Sequence, residues 1–577
     1  MRTILSKYLK QYYKEVIFAL VLLTVQAVSN LYLPNLNANI INNGVAKGDL
    51  PYIMQEGGKM LLFSLLLFGA AVGATFFASR ISAKFAHDLR KDLYYKVLNF
   101  SQTDIDKFGT ASLITRNTND VYQIQMLVLI MLNVIILAPI MAIGGAIMAI
   151  RQDVVLSTSL IVIIPLMGIV VFFLMRKAIP LFKSMQIKLD NVNRVLREKL
   201  MGIRVIRAFV KEKSEEKRFD KVNNDLTQTA IKVNRLLALG MPLLMLIMNL
   251  TTVSILWFGS MRIDSGAMPI GNLIAFLTYI MEILIAIMMA MMMFVMWPRA
   301  EASADRIKEV LETEPTITEP NNPIILKSKK GNVSFKNVTF RYEGAERPVL
   351  RNISFEAKPG QTTAIVGSTG SGKSTLINLI PRFYEVTDGK IEIDGVDIRE
   401  ISMEDLRASL GFVPQKAYLF SGTIASNLAY GKKDATEEEM WHALEIAQAK
   451  DFVEELPDKL QAPVDQGGTN FSGGQRQRLS IARAIIKEPK VYIFDDSFSA
   501  LDNRTDANLR EALKKETKNA TVIIVAQRVT TILDADLIIV LNDDGTIAGQ
   551  GKHSELMQSC EVYREIVKSQ LPEEETA

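Results

Sequence analysis

Residues 362–375 read TTAIVGSTGSGKST. Thr362 to Val366 have the composition of a short buried strand, and the apolar run LINLI that follows the turn, residues 376–380, continues as a helix. A strand, a loop of the form G-x-x-x-x-G-K-[ST] and a helix in that order are suited to phosphate. The loop consists of Gly367, Ser368, Thr369, Gly370, Ser371 and Gly372, and its glycines let backbone N–H groups wrap phosphate oxygens. Lys373 reaches the β and γ phosphates of a nucleotide, and Ser374, followed by Thr375 at the helix N-terminus, can ligate Mg²⁺.

Around this loop, from Val333 onward, short β-branched runs such as NVSFKNVTFRY, KIEIDG, TVIIVA and LIIVL alternate with turns and helices, the pattern of an α/β domain. The run VYIFDDSFSALD, residues 491–502, reads as a buried strand that delivers Asp495 to the loop as a second Mg²⁺-holding acid. The stretch FSGGQRQR, residues 471–478, places Ser472, Gly473, Gly474 and Gln475 at the start of a predicted helix, another N-terminus suited to an anion. A second phosphate site with no second loop is explained most economically by two domains paired head to tail, each closing the other's nucleotide.

The first half is of a different kind. The chain has 577 residues, 49% of them hydrophobic, too apolar for an ordinary soluble protein of that size. Six apolar blocks, at roughly 16–33, 57–79, 127–150, 154–175, 236–258 and 270–297, are long enough to cross a bilayer. Arg2, Lys7, Lys10 and Lys14 precede the first, and the 80–125 and 176–235 connections hold seven and sixteen basic residues. The other loops hold Lys47, Arg151 and Arg262 alone. Positive charge stays inside, so both termini and the two long connections are expected in the cytoplasm of a multi-pass plasma-membrane protein. The spacing of Leu196, Leu200, Ile203 and Val210 extends the helices into the cytosol. Residues 3–14 are expected to form an interfacial helix leading into a retained first span rather than a cleaved signal. The lone Cys560 carries no role, and the net charge of +4 lies in the inner loops with no patch for nucleic acid. The expected division is a membrane domain over 1–305, a linker over 306–330 marked by Pro315, Pro320 and Pro323, a nucleotide-binding domain over 331–570 and an acidic tail over 571–577.

FSGGQ is similar to the LSGGQ signature of ATP-binding cassette (ABC) transporters, and six spans followed by one cassette resembles an exporter-type half-transporter across essentially the whole chain. The resemblance implies a fold of six long transmembrane helices plus an α/β P-loop nucleotide-binding domain, with ATP and Mg²⁺ as cofactors. It implies that Tyr342 stacks on adenine, that Gln415 senses Mg²⁺ and γ-phosphate, and that Ser499 to Asp502 forms a loop communicating between two sites. Residues near 103–112 and 202–209 resemble short intracellular coupling helices.

Members that hydrolyse ATP efficiently usually carry Glu at position 496 and His at position 527, where this chain has Asp496 and Gln527. The acid is one methylene shorter, and a neutral amide cannot share a proton as imidazole can. The segment VDQGGTN, residues 464–470, also lacks the Glu-Arg-Gly often found before the signature. The pattern resembles heterodimeric bacterial multidrug exporters in which one half holds ATP at a degenerate site and a second half-transporter supplies the catalytic Glu and switch His. A homodimeric lipid or drug exporter with slow hydrolysis, or an ATP-gated regulator on the same fold, are the alternatives. In the sixth span Thr278, Glu282, Ala286, Met289, Met293 and Met296 recur at helical spacing, and seven Met lie between 281 and 296. Adaptable Met side chains around a mid-membrane carboxylate suit amphiphilic, cationic substrates, with Glu282, Met289 and Met293 as candidate contacts.

Overall fold

The computed structural model describes residues 1–326 and 330–570, so the acidic tail at 571–577 and part of the linker lie outside the described residues. The chain divides into two compact units. One comprises Met1–Lys96 with Ala111–Thr313, the other Val97–Thr110 with the chain from Glu314 onward.

In the first unit, helices long and apolar enough to cross a membrane span Arg2–Val45, Leu50–Leu98, Thr110–Gln152, Val154–Met201, Glu212–Asp264 and Ile270–Ala290. The last continues to Glu312, past the point where the linker was expected to begin. Ala300, Ala304, Ile307 and Val310 bury one face at helical spacing, and with the Ala, Glu, Lys and Arg around them they carry the helix on beyond Pro298. The N-terminal Arg2–Leu9 helix is tied to the second long helix, Tyr8 Oη donating to Asp92 Oδ2 at 2.7 Å, while Ile4 is buried.

The sixth helix packs against the first and third. Tyr279, fully buried, donates its hydroxyl to Leu31 O at 2.9 Å. Gly145 lets the third helix approach closely, since a Cβ there would stand 2.9 Å from Ile283 Cγ1. Below the apolar blocks the buried Asp120 accepts from Arg306 Nε at 2.7 Å and from Ser303 Oγ at 3.0 Å, a charge-assisted pairing that holds third and sixth helices together. The fourth helix ends at Gly202 and gives way to a short helix, Ile203–Ala208, flanked by the exposed Met201, Phe209 and Val210.

The second unit contains two main sheets. Strands Leu350–Ala357, Val333–Phe340, Asp388–Ile393 and Val396–Asp397 form an antiparallel sheet in that spatial order. The other sheet has the order Ile547–Gly551, Leu537–Leu541, Thr362–Gly367, Thr521–Val525, Val491–Asp495 and Leu410–Val413, parallel except for its first member. Its central strands are apolar and buried on both faces, as a parallel sheet covered on both sides requires. Thr362–Gly367 pairs with Thr521–Val525, which pairs with Val491–Asp495, so the phosphate loop and the acids after Phe494 leave one edge of the sheet together.

Candidate nucleotide site

The loop between Thr362–Gly367 and the helix Lys373–Asn378 turns on left-handed backbone. Gly372 has φ +92°, which disfavours any side chain there, and a Cβ on it would also crowd Leu350 Cδ2 at 2.9 Å and Val349 Cγ1 at 3.0 Å. Lys373 Nζ donates to Gly367 O at 2.9 Å and Ser368 O at 2.6 Å, folding its ammonium back over the loop. Burial lowers its pKa below the ordinary lysine range, opposed by the nearby Asp496 and Asp495 carboxylates. Ser371 Oγ is buried with no hydrogen-bond partner among the described residues, a donor left over for an anion. Ser368 Oγ is hydrogen-bonded to Asp543, an acid that motif spacing did not single out.

Ser374 Oγ donates to Asp495 Oδ1 at 2.9 Å, which brings a hydroxyl and a carboxylate oxygen to one point. Burial pushes the Asp495 carboxyl above the usual range; the Ser374 hydrogen bond opposes this, the neighbouring Asp496 adds to it and Lys373 opposes it. Gln415 Nε2 reaches Asp496 Oδ2 at 3.3 Å. These hard oxygen donors fit Mg²⁺ bound by few protein groups and by phosphate oxygens. Among the described residues no cluster of three His, Cys, Asp or Glu side chains could hold a metal by itself.

Asp496 is 8% exposed and sits at φ +47°, a left-handed position that Asp tolerates better than most residues, with its N–H bonded to Val525 O. The structure does not bring Gln527 into this group. Its side chain is exposed and makes no hydrogen bond among the described residues, while its backbone oxygen accepts from Gln570. Tyr342 stands beside the loop, its hydroxyl 3.0 Å from Thr375 Oγ1 and its ring edge-on to Phe340 and Tyr384.

Ser472 caps the helix Gly473–Ile485: its hydroxyl accepts from Gln475 N at 3.3 Å, and its own N–H donates to Gln475 Oε1 at 2.9 Å. Ser472 and Gly473 are exposed, and no hydrogen bond among the described residues joins them to the phosphate loop. Gly474 lies against Ala500 O, so the signature adjoins the loop Ser499–Asp502. Asp502 caps the next helix through Thr505 N at 2.9 Å. Arg528, which sequence reasoning passed over, clamps this loop by donating to Ser499 O, Leu501 O and Asn503 Oδ1.

Of the two expected coupling segments, 103–112 contributes the helix Gln102–Phe108 to the cassette unit. Asp104 Oδ2 accepts from Ser101 N and Thr316 N, its other oxygen from Thr316 Oγ1, and Tyr384 Oη donates to Asp106 Oδ2 at 3.1 Å. The Ser101-x-x-Asp104 capping box was the legible signal for this helix. The other segment is the exposed Ile203–Ala208 turn of the membrane unit.

The family described as ABC transporter transmembrane region matches residues 16–288, and the family described as ABC transporter matches residues 350–499. An uncharacterised ABC transporter ATP-binding protein of Mycobacterium tuberculosis is 45% identical over 571 residues, 98% of either chain. A multidrug resistance ABC transporter ATP-binding and permease protein of Lactococcus lactis is 32% identical over 89% of this chain and 88% of its own. A solved structure of a bacterial Atm1-family ABC exporter with ATP bound shares the fold at a TM-score of 0.80, with 24% identity over 98% of this chain and 99% of the other. With a phosphate loop, a signature helix and six helices long and apolar enough to span a membrane on one polypeptide, the chain belongs to the ABC transporter family and has the fold of an exporter-type half-transporter, one membrane region joined to one ATP-hydrolysing cassette.

Proposed function

We propose that this chain is one half of a heterodimeric exporter of amphiphilic small molecules, holding ATP·Mg²⁺ at its own phosphate loop and hydrolysing it slowly there. The observation that carries this reading is Asp496. A hydrolytic water needs a carboxylate that reaches past the γ-phosphate, and this one is short, 8% exposed and bonded to Gln415 on left-handed backbone. The exposed Gln527 offers no second base. The exposed Ser472 and Gly473 at their helix N-terminus are free to cap the phosphates on another subunit, so this chain completes a competent site whose Glu and His come from its partner.

In this reading two ATPs close the cassettes, and the segments around 102–108 and 203–208 pass that closure to the membrane helices. ATP moves the equilibrium only by binding the closed pair more tightly than the open one. The lysine and arginine bias supports a cytoplasmic position for both termini and the cassette, at the plasma membrane. The name of the Lactococcus relative supports drugs as the substrate class.

The test is assembly. Purified alone, this chain should bind ATP and turn it over poorly; co-expression with a half-transporter bearing the Glu and His should restore activity, and Ser472→Ala in this chain should then abolish most of it. Robust substrate-stimulated hydrolysis by the pure homodimer would overturn the reading.

A further inference from the structure

The fourth and fifth long helices, Val154–Met201 and Glu212–Asp264, run antiparallel. Arg262 Nε donates to Asp153 Oδ2 at 2.9 Å near one end, and Lys188 Nζ donates to Thr229 Oγ1 at 2.8 Å toward the other. Between those ties a cavity of ≈ 730 Å³ opens along the pair. It is lined by Arg176 and Lys177 from one helix and Lys232 and Arg235 from the other, with Phe173 and Leu239 at one end. Residues 173, 176, 177, 180 and 181 share one face of the fourth helix, as 232, 235, 236 and 239 do on the fifth, so each helix turns one mixed basic and apolar face to the same groove.

All four cations are exposed, and none has a hydrogen bond or ion pair among the described residues. No acid is available on either helix nearby, because residues 154–189 and 226–263 contain no Asp or Glu. The cations also sit at one level. The apolar blocks 154–175 and 236–258 end where Arg176 and Arg235 begin, while Phe173 and Leu239 point the groove back into those blocks. A topogenic excess of positive charge alone would need no shared groove, and it would not align two helices in phase.

We propose that this groove binds an anionic phospholipid of the cytoplasmic leaflet, its phosphate held by Arg176, Lys177, Lys232 and Arg235 and an acyl chain lying along Phe173 and Leu239. Guanidinium groups engage phosphate oxygens in pairs, ammonium groups add point charge, and a basic pocket between helices at the inner interface is suited to such headgroups. The inference rests on the cytoplasmic placement of residues 176–235 in the proposed function. It does not rest on the heterodimer or on the degenerate site.

The experiment reconstitutes the full-length chain in nanodiscs of phosphatidylglycerol and phosphatidylcholine in equal amounts and identifies retained lipid by native mass spectrometry after release into detergent. Wild type should retain phosphatidylglycerol selectively. Arg176→Gln, Lys177→Gln, Lys232→Gln and Arg235→Gln should each lower retention by about fivefold, and the quadruple variant should abolish the preference. Lys221→Gln, a cation elsewhere on the fifth helix, should change nothing. Equal retention of both lipids by wild type, or an unchanged preference in the quadruple variant, would overturn the proposal. Displacement of the lipid by millimolar inorganic phosphate would mark a soluble-anion site, and loss of subunit association in place of lipid would mark a protein interface; either result also overturns it. Retention requires no hydrolysis, so a failure of the heterodimer reading leaves this measurement interpretable.

Discussion

Gln415 Nε2 donates to Asp496 Oδ2 at 3.3 Å, giving the short acid behind the nucleotide strand a neutral amide as partner. On the proposed reading of Asp496 as too short to hold the hydrolytic water, lengthening the acid and supplying an imidazole should place and activate it. Since a misplacement of ~1 Å can cost about 100-fold, Asp496→Glu with Gln527→His should raise turnover by this chain alone by about tenfold or more with ATP binding unchanged. Steady-state hydrolysis of the purified double variant checks this, and an unchanged rate would locate the defect elsewhere.

The Ser374–Asp495 pair sets a pH dependence. Burial raises the Asp495 pKa, so its neutral form is favoured in the fold; that contribution is present below the ordinary carboxylate value and lost as pH rises through the raised one. Mg²⁺ needs the carboxylate. Mg²⁺-dependent nucleotide binding should therefore fall with acidification at a pH above the ~3.9 of a free aspartate. Ser374→Ala removes a hydrogen bond that favours the charged form and should move the fall to higher pH. Titrating nucleotide binding with and without Mg²⁺ between about pH 4 and 8 reads both effects.

Asp104 behaves in the opposite sense. Burial raises its pKa, but hydrogen bonds from Thr316 and Ser101 outweigh this and hold it below the usual range. Its stabilisation is thus present above the ordinary carboxylate value and lost as pH falls through the depressed one. Asp104→Asn should weaken the docking of this segment by about 1–3 kcal/mol. Hydrogen exchange should then accelerate across Val97–Thr110 while nucleotide affinity is kept; unaltered protection would show that other contacts hold the helix.

How much of this was readable beforehand follows from which residues act locally. The phosphate loop, Asp495 and the capped signature helix depend on neighbours in sequence, so composition and spacing expose them. Asp543 beside Ser368, Arg528 across the Ser499–Asn503 loop and Tyr384 on Asp106 arise from chain segments far apart, and no local pattern encodes them. The spanning helices were legible as apolar blocks, and the spacing around Leu196 and Leu200 carried them into the cytosol, where Val154–Met201 and Glu212–Asp264 do continue; the break at Gly202 and the short helix after it were not encoded by that spacing.

The sixth-span stripe illustrates the same limit. At helical spacing it reads as one face, yet Thr278 is exposed, Glu282, Met289 and Met293 are half-buried and Ala286 is fully buried; the side chains of Met291 and Met292 lie outside the described residues. We propose that the Glu282 carboxylate nonetheless meets the substrate and selects it by charge. Glu282→Gln should lower transport of cationic amphiphiles by about two- to fivefold relative to neutral ones, with ATP binding intact. Parallel uptake assays in inside-out vesicles check it, and equal losses would return the stripe to packing.

Because Val97–Thr110 folds with the cassette while the chain on either side of it belongs to the membrane unit, the polypeptide passes between the two units at three places. A protease that cuts between residues 320 and 326 divides the chain just past the last of those passages. The cassette then still grips a segment that is covalently part of the other fragment, through Tyr384 on Asp106 and Gln102 N on Phe383 O. Nicked protein should run as two fragments on a denaturing gel and as one species on a native gel.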